Sequence, residues 1–296
     1  VSASASDGWS TWRAPAVAAR SSVNYEIIAV SCTWPGEKIK MAQSDIIAGG
    51  SDIIVEGSDI IAKDVDAHER DDFATDLMWA AYEGDKGEVE RLIRNHPDQL
   101  GRKEGHININ DRAITNGTAL MIAAACGHRE VVRLLVTHEG GESDDNGKTA
   151  LIAAAQAGYD DCVELLLMSE SGNQDRYKKT ALMWAAQEGY HRCVNLLACE
   201  KHMVDKNGET ALMWAAKRGR AECVRLLLDE GGTQSKVGRT ALMWAAYSNH
   251  ADCVEPLVDR EKDKETTGRC WNYSPPVTAL DIAKMRRNQR ILDLLE

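Results

Sequence analysis

The chain lacks an apolar run of the roughly 18–20 residues that a helix needs to cross a bilayer. Its first twenty residues, VSASASDGWSTWRAPAVAAR, have no basic start followed by an apolar core, so they do not read as a secretory signal. It also lacks an excess of positive charge: the formal net charge is −11 and the isoelectric point is near 5.3. That argues against a general nucleic-acid-binding role, which needs a clustered basic surface, while leaving room for a local basic patch. Catalytic signatures are missing as well. There is no G-x-G-x-x-G, G-x-x-x-x-G-K-[ST], G-x-S-x-G or H-E-x-x-H, and no kinase H-R-D or D-F-G. The chain is therefore not read as an enzyme, and no cofactor is expected.

Hydrophobic content of 44% and charged content of 27% are those of a globular protein. Eight cysteines without a secretory signal point to a reducing intracellular compartment, with the cytoplasm or the cytoskeleton as the expected location. The chain begins at Val1 and its first methionine is Met41, so either the start lies upstream or Met41 is the native one.

An internal repeat organises the rest. The phrase T-A-L-M-W-A-A occurs at Thr180, Thr210 and Thr240. Variants stand at Thr75, Thr118, Thr149 and Thr278, and successive starts are 43, 31, 31, 30, 30 and 38 residues apart. Around Thr149 one copy reads D-D-N-G-K-T-A-L-I-A-A-A-Q-A-G-Y-D-D-C-V-E-L-L-L. Its D-x-N-G-K stretch predicts a turn in which Gly147 takes a positive φ. Thr149 is a natural N-cap, its hydroxyl accepting from a first-turn amide. A short Ala-rich helix follows, closed at Gly158, and a second helix carries Cys162, Val163, Leu165, Leu166 and Leu167. Both helices are too short to stand alone, so each repeat must bury its face on its neighbours.

This unit resembles the ankyrin-repeat family, whose pattern is a turn, T-P-L-H-x-A-A-x-x-G-H, and V-V-x-L-L-L. The resemblance covers about residues 70–296 and implies an all-α solenoid of about seven helix-turn-helix repeats, starting near 70, 113, 144, 175, 205, 235 and 273. It departs from the family where the usual His is Met78, Met121, Ile152, Met183, Met213 and Met243, so apolar packing must replace the Thr–His hydrogen bonds. The family's period of 33 implies fingers two or three residues short here. The TALMWAA phrase with C-V-x-L-L is similar, more narrowly, to the ankyrin-only proteins of Giardia of the type called protein twenty-one point one. It also resembles the ankyrin tails of that organism's NEK-type kinases.

Residues 1–69 form a separate leader, read as largely disordered and low in complexity, with the acidic SDIIxxG copies near its end. The 43-residue gap holds an insertion around 96–105, and GHININD after it resembles a repeat ending. The 38-residue gap holds REKDKETTGRCWNYSPP, read as a surface loop. Pro256 should bend or shorten its helix. Arg287 and the run MRRNQR suit a wetter C-terminal cap.

Cys162, Cys193, Cys223 and Cys253 recur at one position and read as small core residues. His191, Cys193, Cys199 and His202 are only loosely zinc-like, and no metal is expected. Trp79, Trp184, Trp214 and Trp244 form another column, read as packing between neighbouring first helices, with an exposed recognition ladder as the alternative.

Positions that the core does not dictate are the binding candidates, and in the ankyrin family they line the concave recognition surface. Here they are Asn146, Lys148, Gln156, Tyr177, Lys179, Gln187, Glu188, Asn207, Glu209, Lys217, Arg218, Arg239 and Tyr247, extended by Tyr82 and Glu83. Lys178, Lys179, Lys217, Arg218 and Arg239 make the middle repeats locally basic, a place where an acidic partner segment could be steered. The resemblance implies a scaffold that binds a protein partner on a rigid surface. Two other expectations are a targeting tail for an upstream NEK-like kinase domain, and a basic surface for nucleic acid or an acidic membrane.

Overall fold

The computed structural model describes residues 32–34, 37–39, 75–109, 112–269, 271 and 274–296. The chain divides into two compact units, Val1–Glu69 and Arg70–Glu296. In the first, strands β1 (Cys32–Trp34) and β2 (Glu37–Ile39) pair antiparallel, Cys32 opposite Ile39. The expectation of a largely disordered leader contains no such pair, although Pro35-Gly36 between the strands is a turn signal in the sequence. The SDIIxxG copies lie outside the described residues.

The second unit is a row of helix pairs. The first helices are α1 (Asp76–Glu83), α3 (Ala119–Cys126), α5 (Ala150–Ala157), α7 (Ala181–Glu188), α9 (Ala211–Lys217), α11 (Ala241–Ser248) and α14 (Ala279–Arg286). The second helices are α2 (Lys86–Asn95), α4 (Arg129–Glu139), α6 (Asp160–Glu170), α8 (His191–Leu196), α10 (Ala221–Leu226), α12 (Ala251–Val254) and α15 (Gln289–Leu295). Each first helix packs on the next first helix, each second on the next second, and the two layers close on one continuous core. Leu, Met or Ile and Ala of the repeated phrase fill that core. Met78, Met121, Ile152, Met183, Met213 and Met243 are all buried, so apolar packing does stand where the family keeps its His. Cys162, Cys193, Cys223 and Cys253 are buried and free, and burial pushes their thiols up to about 11, or about 12 for Cys193.

Each first helix begins at its Thr, yet the cap differs from the expectation at Thr149. Thr75, Thr180, Thr240 and Thr278 accept from the amide three residues on. Thr118, Thr149 and Thr210 make no such bond. What holds these helix starts is a column of glutamates that the sequence reading passed over. Glu139, Glu170, Glu200, Glu230 and Glu261, at intervals of 31, 30, 30 and 31 residues, are all buried. Glu170 accepts from the Leu151 amide of its own repeat at 2.7 Å and from the Gly141 amide of the preceding loop at 3.1 Å. Glu200 does the same with Leu182 at 2.8 Å and Gly172 at 2.9 Å. Burial pushes the carboxyls of Glu139, Glu170, Glu200 and Glu261 upward, and the amide bonds pull them back. Repeat one uses Gln99 instead, whose side-chain oxygen takes the Leu77 amide at 3.0 Å.

Helix ends follow from backbone geometry. Gly158 closes α5 at φ 86, and a Cβ there would lie 2.5 Å from the Tyr190 ring. Asn249 and Arg287 take the same left-handed cap without glycine, at φ 67 and 54. Pro256 breaks its helix: α12 stops at Val254, a 3-10 turn runs Glu255–Leu257, and α13 (Val258–Glu261) resumes.

Two loops depart from the sequence reading. Residues 96–105 contain a 3-10 turn, Pro97–Gln99, and tie into repeats one and two through Gln99 and through the Gly101 amide on Glu139. After them β3 (His106–Ile109) pairs antiparallel with β4 (Arg112–Thr115), so the first finger is a two-stranded hairpin within an otherwise helical array. The late loop is not simply surface: Thr266 is buried and Trp271 is stacked on Tyr247 with centroids 4.3 Å apart.

Candidate functional site

Three successive fingers are tight turns built on an aspartate, and in the next Ser235 Oγ takes the Arg239 amide at 3.0 Å. Asp144 Oδ1 accepts from the Asn146 and Lys148 amides, both at 2.8 Å, and Gly147 sits at φ 74 as the turn requires. Asp175 holds the Tyr177 and Lys179 amides at 2.8 and 2.9 Å, and Asp205 the Asn207 and Glu209 amides at 2.7 and 2.9 Å. Neighbouring fingers are stitched by backbone bonds: Arg176 N–H to Asn146 O at 2.8 Å, Lys206 to Tyr177 and Lys236 to Asn207, both at 2.9 Å.

Behind the fingers, the tryptophans of repeats four to six alternate with cations. Lys179 Nζ lies 3.6 Å from the Trp184 ring centroid and 3.7 Å from that of Trp214. Lys217 sits between Trp214 (4.4 Å) and Trp244 (4.1 Å). Arg239 lies between Trp244 (5.2 Å) and Trp271 (4.8 Å). Lys148 opens the row 5.1 Å from Trp184, and Arg286 closes it 4.8 Å from the Tyr247 ring. The negative ring faces attract the cations, and the stems cover apolar surface.

Hydrogen bonds lock the row. Trp184 Nε1 donates to Asp175 and Trp244 Nε1 to Glu209, each at 3.1 Å. Lys148 Nζ donates to Gln156 at 3.1 Å, and Lys179 Nζ to Gln187 at 2.6 Å. In repeat five the cation changes place: Glu209 stands at the finger position of Lys179, and Lys217 at the helix position of the neutral Gln187. Burial brings Lys179 down to about 8 and draws Lys148 and Lys217 down, while Glu209 is pushed up by burial against the pull of Lys217 and Arg239.

The candidate residues therefore divide. Lys148, Gln156, Lys179, Gln187, Glu188, Glu209, Lys217, Arg239 and Tyr247 come together on this row. Lys179, Gln187 and Glu209 are buried, so the reading that the core does not dictate them is corrected: they hold the tryptophans. Tyr177, Asn207 and Arg218 are exposed and Asn146 is half-exposed, all along the fingers and helix ends. Tyr82 and Glu83 stand apart in repeat one, where Tyr82 packs 5.7 Å from Trp79 and its carbonyl accepts from His128. The tryptophan column is neither all core nor a free ladder: Trp79 and Trp244 are buried, Trp184 and Trp214 half-buried against cations. Sequence reasoning missed Trp271, which stands in a non-repeating loop and carries no periodic signal. Among the described residues no group of three or more His, Cys, Asp or Glu could hold a metal ion, and no helix is long and apolar enough to cross a membrane.

The family model for ankyrin repeats matches residues 77–176 and 182–267. The chain belongs to the ankyrin-repeat family. No curated protein matches this ankyrin-repeat chain. Among solved structures it is similar to the human ASB11 ankyrin repeat domain, at 21% identity and a TM-score of 0.57, over 75% of this chain and 96% of that one. That likeness speaks for the fold alone. It is also similar to the ankyrin repeat domain of Bcl-3, described as a unique member of the IkappaB protein family. There the identity is 27% and the TM-score 0.57, over 76% of this chain and 99% of that one.

Proposed function

We propose that this ankyrin array is a recognition module for a protein partner, which docks across the fingers and first-helix ends of repeats three to six. Ankyrin-repeat domains generally mediate protein–protein interaction and are typically non-catalytic. The observation that supports placing the partner here is the locked row of rings and cations from Lys148 to Arg286. Its side chains are already held by ring faces and by Asp175, Gln187 and Glu209, so binding costs little ordering. Exposed Tyr177, Asn207 and Arg218 flank the row and offer specificity.

A phosphate-rich or membrane ligand is a weaker fit to the row, since Lys179 and Lys217 are walled by tryptophans and their burial disfavours the charge. Neither the family model nor the two solved structures concerns a kinase, so the kinase-tail reading adds nothing to this assignment.

The test compares affinity capture from extracts of the native cells by the full chain and by a Glu188→Lys/Arg218→Glu variant. A control variant, Arg133→Glu, changes an exposed residue on a second helix. The expected result is a partner retained by the wild type and the control and lost by the double variant, with equal thermal unfolding. Capture that is indifferent to the double variant removes this surface from consideration.

A further inference from the structure

The outer edge of the fingers carries charge of its own. At one position of successive fingers stand Asp145, Arg176, Lys206, Lys236 and Thr267. The backbone bonds that stitch the fingers set this position in register: the amides of Arg176, Lys206, Lys236 and Thr267 each donate to the preceding finger. The middle three are cations, and all three are exposed. Among the described residues none of them makes an ion pair, and neither does exposed Lys178 beside them. The nearest turn carboxylates, Asp175 and Asp205, are buried and spent on turn amides. A chain of net charge −11 thus keeps three positive tips in line with no carboxylate paired to them among the described residues, the Arg176 guanidinium donating only to the Tyr177 hydroxyl at 2.7 Å.

Two further features adjoin the line. The Tyr177 ring is 51% exposed and lies between the Arg176 guanidinium, 4.9 Å from its centroid, and Lys206 Nζ, at 5.6 Å. Beside it, a cleft of about 430 Å³ is bordered by Lys178, His202, Lys206 and Lys236, has Met203 and Val204 in its wall, and is completed by Gln174 and by Asp205, whose carboxylate holds turn amides. Val204 is 41% exposed, so the wall is open to an apolar side chain.

We propose that this finger edge binds an extended, acidic, proline-containing segment of a partner protein, with one carboxylate on each of three fingers. The argument is one of spacing. Helices of neighbouring repeats stack about 8–10 Å apart. A polyproline II segment rises about 3.1 Å per residue with three residues per turn, so every third side chain lies on one face about 9 Å from the last. A pattern Glu-x-x-Glu-x-x-Glu therefore matches Arg176, Lys206 and Lys236. The x positions fall between the tips, where the Tyr177 ring and the Met203–Val204 wall supply the aromatic and apolar surface that proline rings use. The cations are confined to three fingers, ending at Asp145 on one side and Thr267 on the other, which suits a short segment better than a long polyanion. This inference rests on the array being a protein-recognition module and names the chemistry of one partner segment.

The test uses the full chain and fluorescence anisotropy with a labelled peptide of four Glu-Pro-Pro copies. An isomer with all its glutamates clustered at one end is the comparison, and a thymidine oligonucleotide of equal length the third probe. The expected result is binding of the repeating peptide about tenfold tighter than that of its isomer, weakening with salt. It should also be lost by at least about tenfold in Lys206→Glu/Lys236→Glu at unchanged thermal unfolding. Equal affinity for the two isomers, undiminished affinity in the double variant, or tighter binding of the oligonucleotide each overturns the proposal. Failure here with loss of the captured partner in Glu188→Lys/Arg218→Glu sinks only the peptide chemistry. Indifference of capture to that variant sinks the recognition surface itself.

Discussion

Lys179 offers a direct contest between two effects of similar size. Its ammonium is buried, and burial brings it down from 10.5 to about 8 against the pull of Asp175 and Asp205. At 1.36 kcal/mol per pH unit, that is a cost of roughly 3 kcal/mol for keeping the charge. Against it stand two ring faces, at 3.6 and 3.7 Å. Each is worth up to about 2 kcal/mol when water is excluded. The sums nearly cancel. Lys179→Met keeps the stem and its contact with both rings but removes the charge, and its sulfur gains up to about 1 kcal/mol on the aromatic edges. The lost bond to Gln187 costs about 1 kcal/mol, which the sulfur contact offsets, so the effect on stability should be within about 1 kcal/mol of zero, whereas Lys179→Ala, which also empties the space between the rings, should cost about 3 kcal/mol. Urea unfolding followed by far-ultraviolet circular dichroism reads both. A loss above about 3 kcal/mol in the methionine variant would show that the ring attraction outweighs burial. A gain above about 2 kcal/mol would show that the rings contribute almost nothing.

Other outcomes follow from the core. Glu200→Ala leaves the Leu182 and Gly172 amides unpaired and should cost about 4 kcal/mol, with Glu200→Gln, which keeps one acceptor, near half of that, as read by thermal and urea unfolding. Trp184→Ala and Trp214→Ala remove half-buried rings from between cations and should each cost about 2 kcal/mol; lost binding at unchanged stability would contradict their packing role. The thiols of Cys162, Cys193, Cys223 and Cys253 titrate near 11 or 12 in the fold and lower in the unfolded chain, so their contribution is intact below pH about 8.5 and is lost as pH rises toward 11. By pH 10 the loss should be about 1 kcal/mol or more per thiol, and a variant with all four changed to alanine should have a flatter stability profile above pH 8.5.

The helix pairs were legible because Thr, Leu and Ala recur where a short helix must start, pack and end, and the structure places α7, α9 and α11 on those copies. The finger at Gly147 was legible for the same reason, since its positive φ is a local demand. The glutamate column was equally periodic but was passed over, because a carboxylate at a helix end reads locally as solvated. Only the closing of one repeat on the next buries Glu170 and delivers the Gly141 amide to it. The row of rings and cations is half visible in the sequence. The tryptophans and lysines each stood out by spacing, yet Lys179 and Glu209 read as surface, because their burial depends on rings contributed by neighbouring repeats. Trp271 and the β3–β4 hairpin lie in segments that do not repeat, so periodicity had nothing to say of either.

The shared glutamates also set how the array responds to being pulled or cut. Glu170, Glu200 and Glu261 each grip an amide from the loop before their own repeat, so none of these three repeats holds a closed set of bonds. A break at such a boundary strands a buried carboxylate on one side and a bare amide on the other. The units therefore yield in blocks and not one by one, like courses of brick with overlapping joints. A load applied at the fingers of repeats four to six is spread through these joints to the neighbouring repeats. Within the described repeats the array then resists bending as one body, because each joint is shared by two neighbours.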